Sequence, residues 1–281
     1  MILIKKLKSP LRYPGGKAKL YPLIREIILK NMSGDITYCE PFAGGSGLAL
    51  KLLGNQDVST IHINDYDFAI YAFWISILNE TEKFCEKIRK TKIDIYEWRI
   101  QKSIYLSKDK HNLFDVGFAT FFLNRTNVSG IINGGVMGGI KQTGKYKINC
   151  RFNKEQLIKQ IKDIAEYREK IQVSNYNVFD LIKSKDFKIE NLFVYFDPPY
   201  VKKGRQLYKN SFNINDHILL SQLIMKLNEK FIITYDNHEI IKKLYKELTY
   251  GSIDINYSAG TKRKAEELLI LSENILHNFE K

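Results

Sequence analysis

The sequence predicts an α/β fold, a largely parallel sheet covered by helices and interrupted by a long, mostly helical insertion. Three observations carry this reading. Short apolar segments alternate with helical periodicity over 36–79 and again from 171 onward, the pattern of parallel strands joined by right-handed crossovers. Between them, residues 80–170 abandon the alternation for Lys-rich helical stretches around a cluster of glycines. Finally, three segments that read as strands run into unusual residues: the 42–47 loop, Asn64-Asp65 and Asp197-Pro198-Pro199-Tyr200. Open parallel sheets hold their ligands at that edge.

Residues 36–42 read as a strand closing on Pro41. Ala43-Gly44-Gly45-Ser46-Gly47 is a turn from which 48–53 continue at helical spacing. A second strand over 59–63 ends in Asn64-Asp65 and leads into an aromatic-rich helix over 68–78. The insertion reads as helical over 81–107 and 153–171. These segments flank a loop with Gly130, Gly134, Gly135, Gly138, Gly139 and Gly144. A flexible linker is the alternative, but linkers seldom carry Phe121, Phe122, Ile131, Ile132, Val136 and Met137. A mobile loop inserted into a scaffold fits better, and such loops commonly bind. Beyond it, 171–177 is a strand and 192–196 a fully apolar one. A helix capped by Asn215 follows over 216–227, then strands over 231–235 and 268–271.

Composition narrows the function. The chain has 281 residues, 44 Lys+Arg against 31 Asp+Glu, a net charge of +13, and 44% hydrophobic residues. That balance argues against disorder, and the length predicts two domains or one with a large insertion. The densest apolar run, 116–123, falls far short of the ~18 residues of a membrane span. No apolar stretch follows the first charges, so no secretory signal is expected. Cys39, Cys85 and Cys150 are widely spaced, which predicts neither a disulfide framework nor a zinc knuckle and points to the cytoplasm. His62, His111, His217, His238 and His277 include no i, i+4 pair, so no metal is expected. The positive excess points to a polyanion, most often nucleic acid. Over 121–160, Arg125, Lys141, Lys145, Lys147, Arg151, Lys154 and Lys159 face only Glu155. A second cluster, Lys202, Lys203, Arg205 and Lys209, follows the proline pair. A solvated basic face is the bland reading of either cluster. Their position beside two unusual loops favours phosphate binding.

Gly44, Gly45 and Gly47 let backbone approach a ligand closely, and the helix that follows favours a negative group at its start. An acidic residue about twenty positions on, Asp65, suits ribose hydroxyls, so the pair suggests a nucleoside-containing cofactor. The third glycine of a dinucleotide fingerprint is missing, and Pro14-Gly15-Gly16-Lys17 is no phosphate loop, because Leu11 stands where its first glycine belongs. Taken alone, glycines of this kind mark a structural turn more often than a cofactor loop. Asp197-Pro198-Pro199-Tyr200 is more specific, a tetrapeptide expected on the order of once per thousand chains of this length. An exocyclic amine on a planar base is a poor nucleophile, since its lone pair is delocalised into the ring. A carboxylate from Asp197 and a rigidly aimed Pro198 carbonyl would accept its N–H bonds and stabilise the positive charge that develops on attack. Proline fixes that geometry, and Tyr200 offers a face for an extruded base. The plain alternative is a proline turn with a surface tyrosine.

Six motifs in order give the chain its resemblance to a known family. They are Arg12-Tyr13-Pro14-Gly15-Gly16-Lys17, then Glu40-Pro41-Phe42-Ala43-Gly44-Gly45-Ser46-Gly47, then Asn64-Asp65-Tyr66-Asp67. Leu123-Asn124-Arg125-Thr126, Asp197-Pro198-Pro199-Tyr200 and Gly260-Thr261-Lys262-Arg263-Lys264-Ala265-Glu266-Glu267-Leu268-Leu269 complete the set. The chain resembles the Dam-type, D12-class DNA adenine-N6 methyltransferases, which use S-adenosyl-L-methionine. The resemblance implies a Rossmann-like methyltransferase fold, with 1–79 plus 171–281 as the catalytic domain. Residues 80–170 would form an inserted target-recognition domain with a Gly-rich hairpin over 125–147. Tyr13 and Lys17 would contact the cofactor, while Phe42, Ala43, Gly44, Gly45, Ser46 and Gly47 shape its methionine pocket. Asp65 would hold the ribose, and Asn177 and Val178 would lie at the adenine pocket, on a segment, 174–179, that resembles the family's strand there. Asn177 stands where an aspartate is common. Asp197, Pro198, Pro199 and Tyr200 would be catalytic.

By the same resemblance the partner is double-stranded DNA, with a cognate restriction endonuclease acting separately. Arg125, Ile131, Ile132, Asn133, Lys141, Lys145 and Lys147 are the candidate DNA contacts, the apolar ones as tips that wedge between base pairs. Relatives that read GATC carry a tyrosine wedge and a base-reading arginine where this chain has Val128 and Asn133, so that specificity is not carried over. The same chemistry on RNA, and a DNA-binding module with a degenerate active site, are the alternatives. Tyr235-Asp236-Asn237-His238 reads as a capped turn beside the cofactor face, with a catalytic role as its alternative.

Overall fold

The computed structural model describes residues 5–13, 15–201, 212–257 and 263–277. Seven strands form one sheet: β1 Thr37–Glu40, β2 Thr60–Asn64, β3 Ile171–Ser174, β4 Leu192–Phe196, β5 Lys230–Asp236, β6 Thr249–Tyr257 and β7 Arg263–Leu271. Their order is β3-β2-β1-β4-β5-β7-β6. The first five are parallel, and β7 runs antiparallel to both β5 and β6. Strand order thus reverses between β1 and β4, which pair in register at Thr37 and Leu192. The loops after these two strands diverge to opposite faces and leave a crevice at the carboxyl edge, where doubly wound folds bind ligands.

The helices follow from local sequence. After α1, Tyr21–Asn31, helix α2 over Gly47–Gly54 packs Leu48, Leu50, Leu52 and Leu53 into the core. Helix α3, Phe68–Asn79, is capped by Asp67, whose carboxylate accepts from the Ala69 amide. The insertion supplies α4 Thr81–Lys90, α5 Ile95–Leu106, α6 Leu113–Thr126 and α7 Lys154–Ala165. One continuous apolar cluster joins the sheet residues Ile61, Ile63 and Phe193 to Phe84, Phe118, Phe121, Phe152 and Ile161 of the insertion. Phe73 of α3 stacks on Phe121 of α6 with ring centroids 6.0 Å apart.

Several expected elements shift. The 81–107 helix is two helices, broken before Asp94 caps α5 through the Glu97 amide. The strand expected over 171–177 stops at Ser174, and Asn177 instead caps α8, Val178–Lys183, by accepting from the Phe179 amide. The helix expected over 216–227 is Ile214–Ile224. Its cap is Asn213 and not Asn215, because Asn213 and Asp216 each accept from the other's backbone amide. Over 125–147 there is no hairpin ladder. A single bridge pairs Asn127 with Val136, and turns with Gly130, Gly138 and Gly139 at positive φ supply the rest. Among the described residues, no helix is long and apolar enough to cross a membrane.

Helix α6 crosses α3 closely at Gly117. A Cβ there would stand 2.5 Å from the Ala72 carbonyl oxygen and 2.6 Å from the Ser76 hydroxyl. Gly117→Ala should therefore cost about 1–3 kcal/mol of stability through overpacking. Urea unfolding checks this, the expected outcome being a lower midpoint at unchanged slope.

Candidate active site

The two loops that flank the switch point build opposite walls of one crevice. On the β1 side, Gly44 (φ 46) and Ser46 (φ 45) turn the chain sharply into α2. Glycine is required at 44 by packing too, since a Cβ would lie 2.7 Å from the Tyr13 ring. The Trp74 indole donates to the Gly44 carbonyl at 3.0 Å and holds the turn from beneath. Asp65, beyond the end of β2, accepts from the Gly44 amide at 2.8 Å and the Asp67 amide at 2.9 Å. Burial pushes its carboxyl up to about 7, against the pull of those two amides. Its neighbour Asn64 is fully buried and ties three strand ends together. It donates to the Pro41 and Tyr176 carbonyls and accepts from the Ser174 hydroxyl and the Tyr176 amide.

On the β4 side, Asp197 follows the fully buried strand Leu192–Phe196. Lys17 donates to both of its oxygens, at 2.6 and 2.7 Å, and to the Tyr200 hydroxyl at 2.9 Å. The Thr234 hydroxyl of β5 donates to Asp197 Oδ1 at 2.9 Å, so Tyr195, 2.9 Å from that hydroxyl, must donate to Thr234 in turn. Asp236 accepts from the Val201 amide at 3.1 Å and fixes the far end of the loop. Burial, followed by the charge of Asp197, pushes the Tyr195 and Tyr200 hydroxyls well above the ordinary tyrosine range. Burial likewise lifts Glu40, the last residue of β1, to about 8, although the Tyr38 hydroxyl and the Ala49 amide hydrogen-bond to it.

Between these walls lies a cavity of about 520 Å³. Its lining includes the expected Tyr13, Lys17, Phe42, Ala43, Gly45, Ser46, Gly47, Asp65, Asn177, Val178, Asp197 and Pro199. Tyr66, Phe179 and Phe212 also line it, without having been singled out in the sequence. Phe212 contacts Phe42 edge-on at 5.9 Å and stacks on Phe179 at 5.8 Å, a hydrophobic end to the cavity. Thr234, Asn64 and Glu267 also went without a role in the sequence reading. A threonine inside an otherwise apolar strand is a signal that could have found the first.

Residues 125–147 divide differently from expectation. The Arg125 guanidinium is folded back onto the Arg151 carbonyl, and burial lowers its pKa to about 10, helped by Arg12 and Arg151. Ile132 packs on the core, and its carbonyl accepts from Asn127 at 2.8 Å and Lys102 at 3.3 Å. Ile131 is half-buried and Val136 buried, so neither is an exposed tip. Val128, Ile140 and Tyr146 are the exposed apolar side chains. Asn133 is exposed and hydrogen-bonds the Tyr105 hydroxyl. Lys141, Lys145 and Lys147 all face solvent. Asn124 pins this segment to the crevice: it accepts from the Arg12 amide and donates to the Arg12 and Gly130 carbonyls. Lys202, Lys203, Arg205, Lys209, Gly260, Thr261 and Lys262 lie outside the described residues. Among those described, no group of His, Cys, Asp and Glu is arranged to hold a metal ion.

Residues 13–259 match the family model of the D12 class N6 adenine-specific DNA methyltransferases. The type II methyltransferase M.MjaIII of Methanocaldococcus jannaschii is 25% identical over 242 residues, 80% of this chain and 81% of that one. M.CviBI of Paramecium bursaria Chlorella virus NC1A is 24% identical, with 85% and 86% of the two chains covered. M1.LlaDCHI of Lactococcus lactis subsp. cremoris, also a type II methyltransferase, is 22% identical over 99% of each. The matched stretch takes in both loops at the switch point and the whole insertion between them, and the chain belongs to the D12 class N6 adenine-specific DNA methyltransferase family.

Proposed function

We propose that the crevice binds S-adenosylmethionine along the Gly-rich turn and presents to it the amine of an adenine turned out of duplex DNA. The observation that carries this reading is Asp197, a carboxylate at the end of β4 held by Thr234 and Lys17 across the switch point from the turn after β1. The residues present suit the cofactor. The cavity falls in the range of small-molecule sites, roughly 300–1,000 Å³. Asp65 spends one lone pair of each oxygen on a backbone amide and keeps others for ribose hydroxyls. Tyr13, Lys17, Phe42, Ala43, Ser46 and Gly47 would hold the remainder, with Asn177 and Val178 at the opposite end. When bound, the cofactor supplies an electrophilic methyl group with sulfur as leaving group.

The chain's own part is placement and electrostatics. Asp197 and the Pro198 carbonyl accept the two N–H bonds of the amine, drawing its lone pair out of ring conjugation, while Pro199 keeps the loop stiff. Tyr200 stacks on the base, worth roughly 1–3 kcal/mol. In-line transfer depends on holding nitrogen, methyl carbon and sulfur on one axis. Extrusion costs a few kcal/mol, which phosphate contacts from Lys141, Lys145 and Lys147 offset.

In this reading residues 80–170 recognise the target, 1–79 plus 171–281 catalyse, and Asn133 is the candidate base reader. Ile131 and Ile132 support it from below, and Arg125 acts by holding the segment in shape. The enzyme would work on cytoplasmic DNA, protecting sites that a separate restriction endonuclease cuts, in keeping with the type II description of its relatives. Transfer of labelled methyl groups to duplex DNA and not to structured RNA, followed by sequencing of methylated adenines, tests the reading. Label on RNA alone, or none despite cofactor binding, overturns it.

Asp197→Asn should lower the single-turnover rate at least ~100-fold, the scale of a lost preorganised electrostatic contact, while circular dichroism still shows a folded chain, its melting point lowered because the buried Lys17 loses its charged partner. The ribose contact predicts a pH dependence. Protonation of Asp65 below about 7 removes a charged acceptor, so affinity for S-adenosylhomocysteine should fall as pH drops from 8 to ~6. Calorimetry on Asp65→Asn should show weaker binding without that dependence. Lys145→Ala should weaken binding to all DNA sequences alike and make the salt slope shallower by about one unit in titrations at several salt concentrations.

A further inference from the structure

We propose that Glu267 is a positioning residue that draws the Lys17 ammonium off Asp197 so that the target amine can take its place. This rests on the reading of the crevice as an adenine site. In the structure the acceptor that the amine needs is already occupied. Asp197 Oδ1 accepts from both Thr234 and Lys17, and Oδ2 accepts from Lys17 at 2.7 Å. Thr234 can stay when the base arrives, because it holds only Oδ1. Lys17 must give up Oδ2. A buried ammonium that loses a carboxylate without gaining another is strongly disfavoured, so entry of the base requires a second acceptor within reach.

Glu267 supplies it. It lies on β7 opposite Asp236 of β5, with its side chain 1% exposed, and Oε2 stands 3.8 Å from the Lys17 ammonium. The Tyr200 hydroxyl interacts with the Glu267 carboxylate, which still lacks the full set of hydrogen bonds that a buried carboxylate needs. A movement of about 1 Å by Lys17 would bring this contact to the length of a charge-assisted hydrogen bond. The groups facing Glu267 are Lys17 from the N-terminal segment, Asp197, Tyr195 and Tyr200 from β4 and its loop, and Asp236 from β5. Burial pushes the Glu267 carboxyl up to about 7, opposed by Lys17 and reinforced by Asp197. Packing alone does not explain a glutamate here. The adjacent Glu266 is exposed and takes a hydrogen bond from Asn237, as a surface carboxylate does, whereas Glu267 is buried against Lys17, Asp197 and Tyr200.

The test measures single-turnover methyl transfer to duplex DNA at saturating cofactor, from pH 6 to 8, in the wild type, Glu267→Gln, Lys17→Met and the double variant. Glu267→Gln should lose at least about tenfold in rate at pH 8, with S-adenosylhomocysteine affinity within about twofold of the wild type. The wild-type rate should rise with pH through about 7 as Glu267 ionises, and this rise should vanish in Glu267→Gln. In the Lys17→Met background, with no ammonium to draw off, the second substitution should change the rate less than about twofold. Glu267→Met, similar in volume, should show the same loss and serves if the glutamine variant melts early. Near-wild-type rates in Glu267→Gln, or effects of Glu267 and Lys17 that multiply, overturn the proposal. A wild type that methylates no adenine overturns the functional reading with it; an active wild type beside an unimpaired Glu267→Gln overturns this inference alone.

Discussion

The reversal of winding between β1 and β4 is the constraint from which the rest of the site follows. Two parallel strands lie side by side, and the chain leaves them toward opposite faces of the sheet. Their exits cannot fill the space between them, and a concave site remains however the helices pack. The glycine turn and the Asp-Pro-Pro-Tyr loop are placed by this topology before any side chain is considered. What the side chains add is precision. Asn64 fixes the ends of β1, β2 and β3 relative to one another, while Thr234 and Asp236 fix the Asp-Pro-Pro-Tyr loop against β5.

The crevice is also an unusual electrostatic environment. Glu40, Asp65 and Glu267 are all carboxylates whose burial resists ionisation, and Lys17 is the buried cation set among them. Burial of this kind is unfavourable in isolation and calls for compensating contacts. Glu40 and Asp65 have them from backbone amides and a tyrosine hydroxyl, and Glu267 from Lys17 and Tyr200. The arrangement makes sense for a reaction in which a cationic donor meets an amine that becomes positive as it attacks. Where they are ionised, carboxylates fixed in the crevice answer that charge without having to reorganise.

Legibility in the sequence tracked how local each cause is. The strand at 192–196 was read to the residue because its buried, unbroken apolar run has no competing interpretation. Helix α6 went unread because it is buried on nearly all sides and shows no amphipathic period, and β6 because it is a sheet edge. Asn177 looked like the end of a strand although its side chain is a helix cap, since both readings place a polar residue after an apolar run. Most of the residues that the motifs name at the cofactor site line one cavity. The partners that aim them, Thr234 and Glu267, arrive from distant strands; the threonine stands out in its apolar strand and the glutamate lies in a quoted motif, but neither local pattern says what the side chain touches. Arg125 was misleading for the same reason: charge suggests solvent, while the Arg151 carbonyl that holds it inside lies on another turn of chain.

The place of the insertion also orders the birth of the protein. β1 and β2 pair with each other, but their outer neighbours, β4 and β3, both lie beyond the insertion in the sequence. On the ribosome the first two strands therefore emerge with both edges open, a condition that invites misassociation. The next segment to appear is the one whose phenylalanines pack on α3. Residues 80–170 thus pack against α3, on the helix face of a half-built sheet, before the strand bearing Asp197 is synthesised.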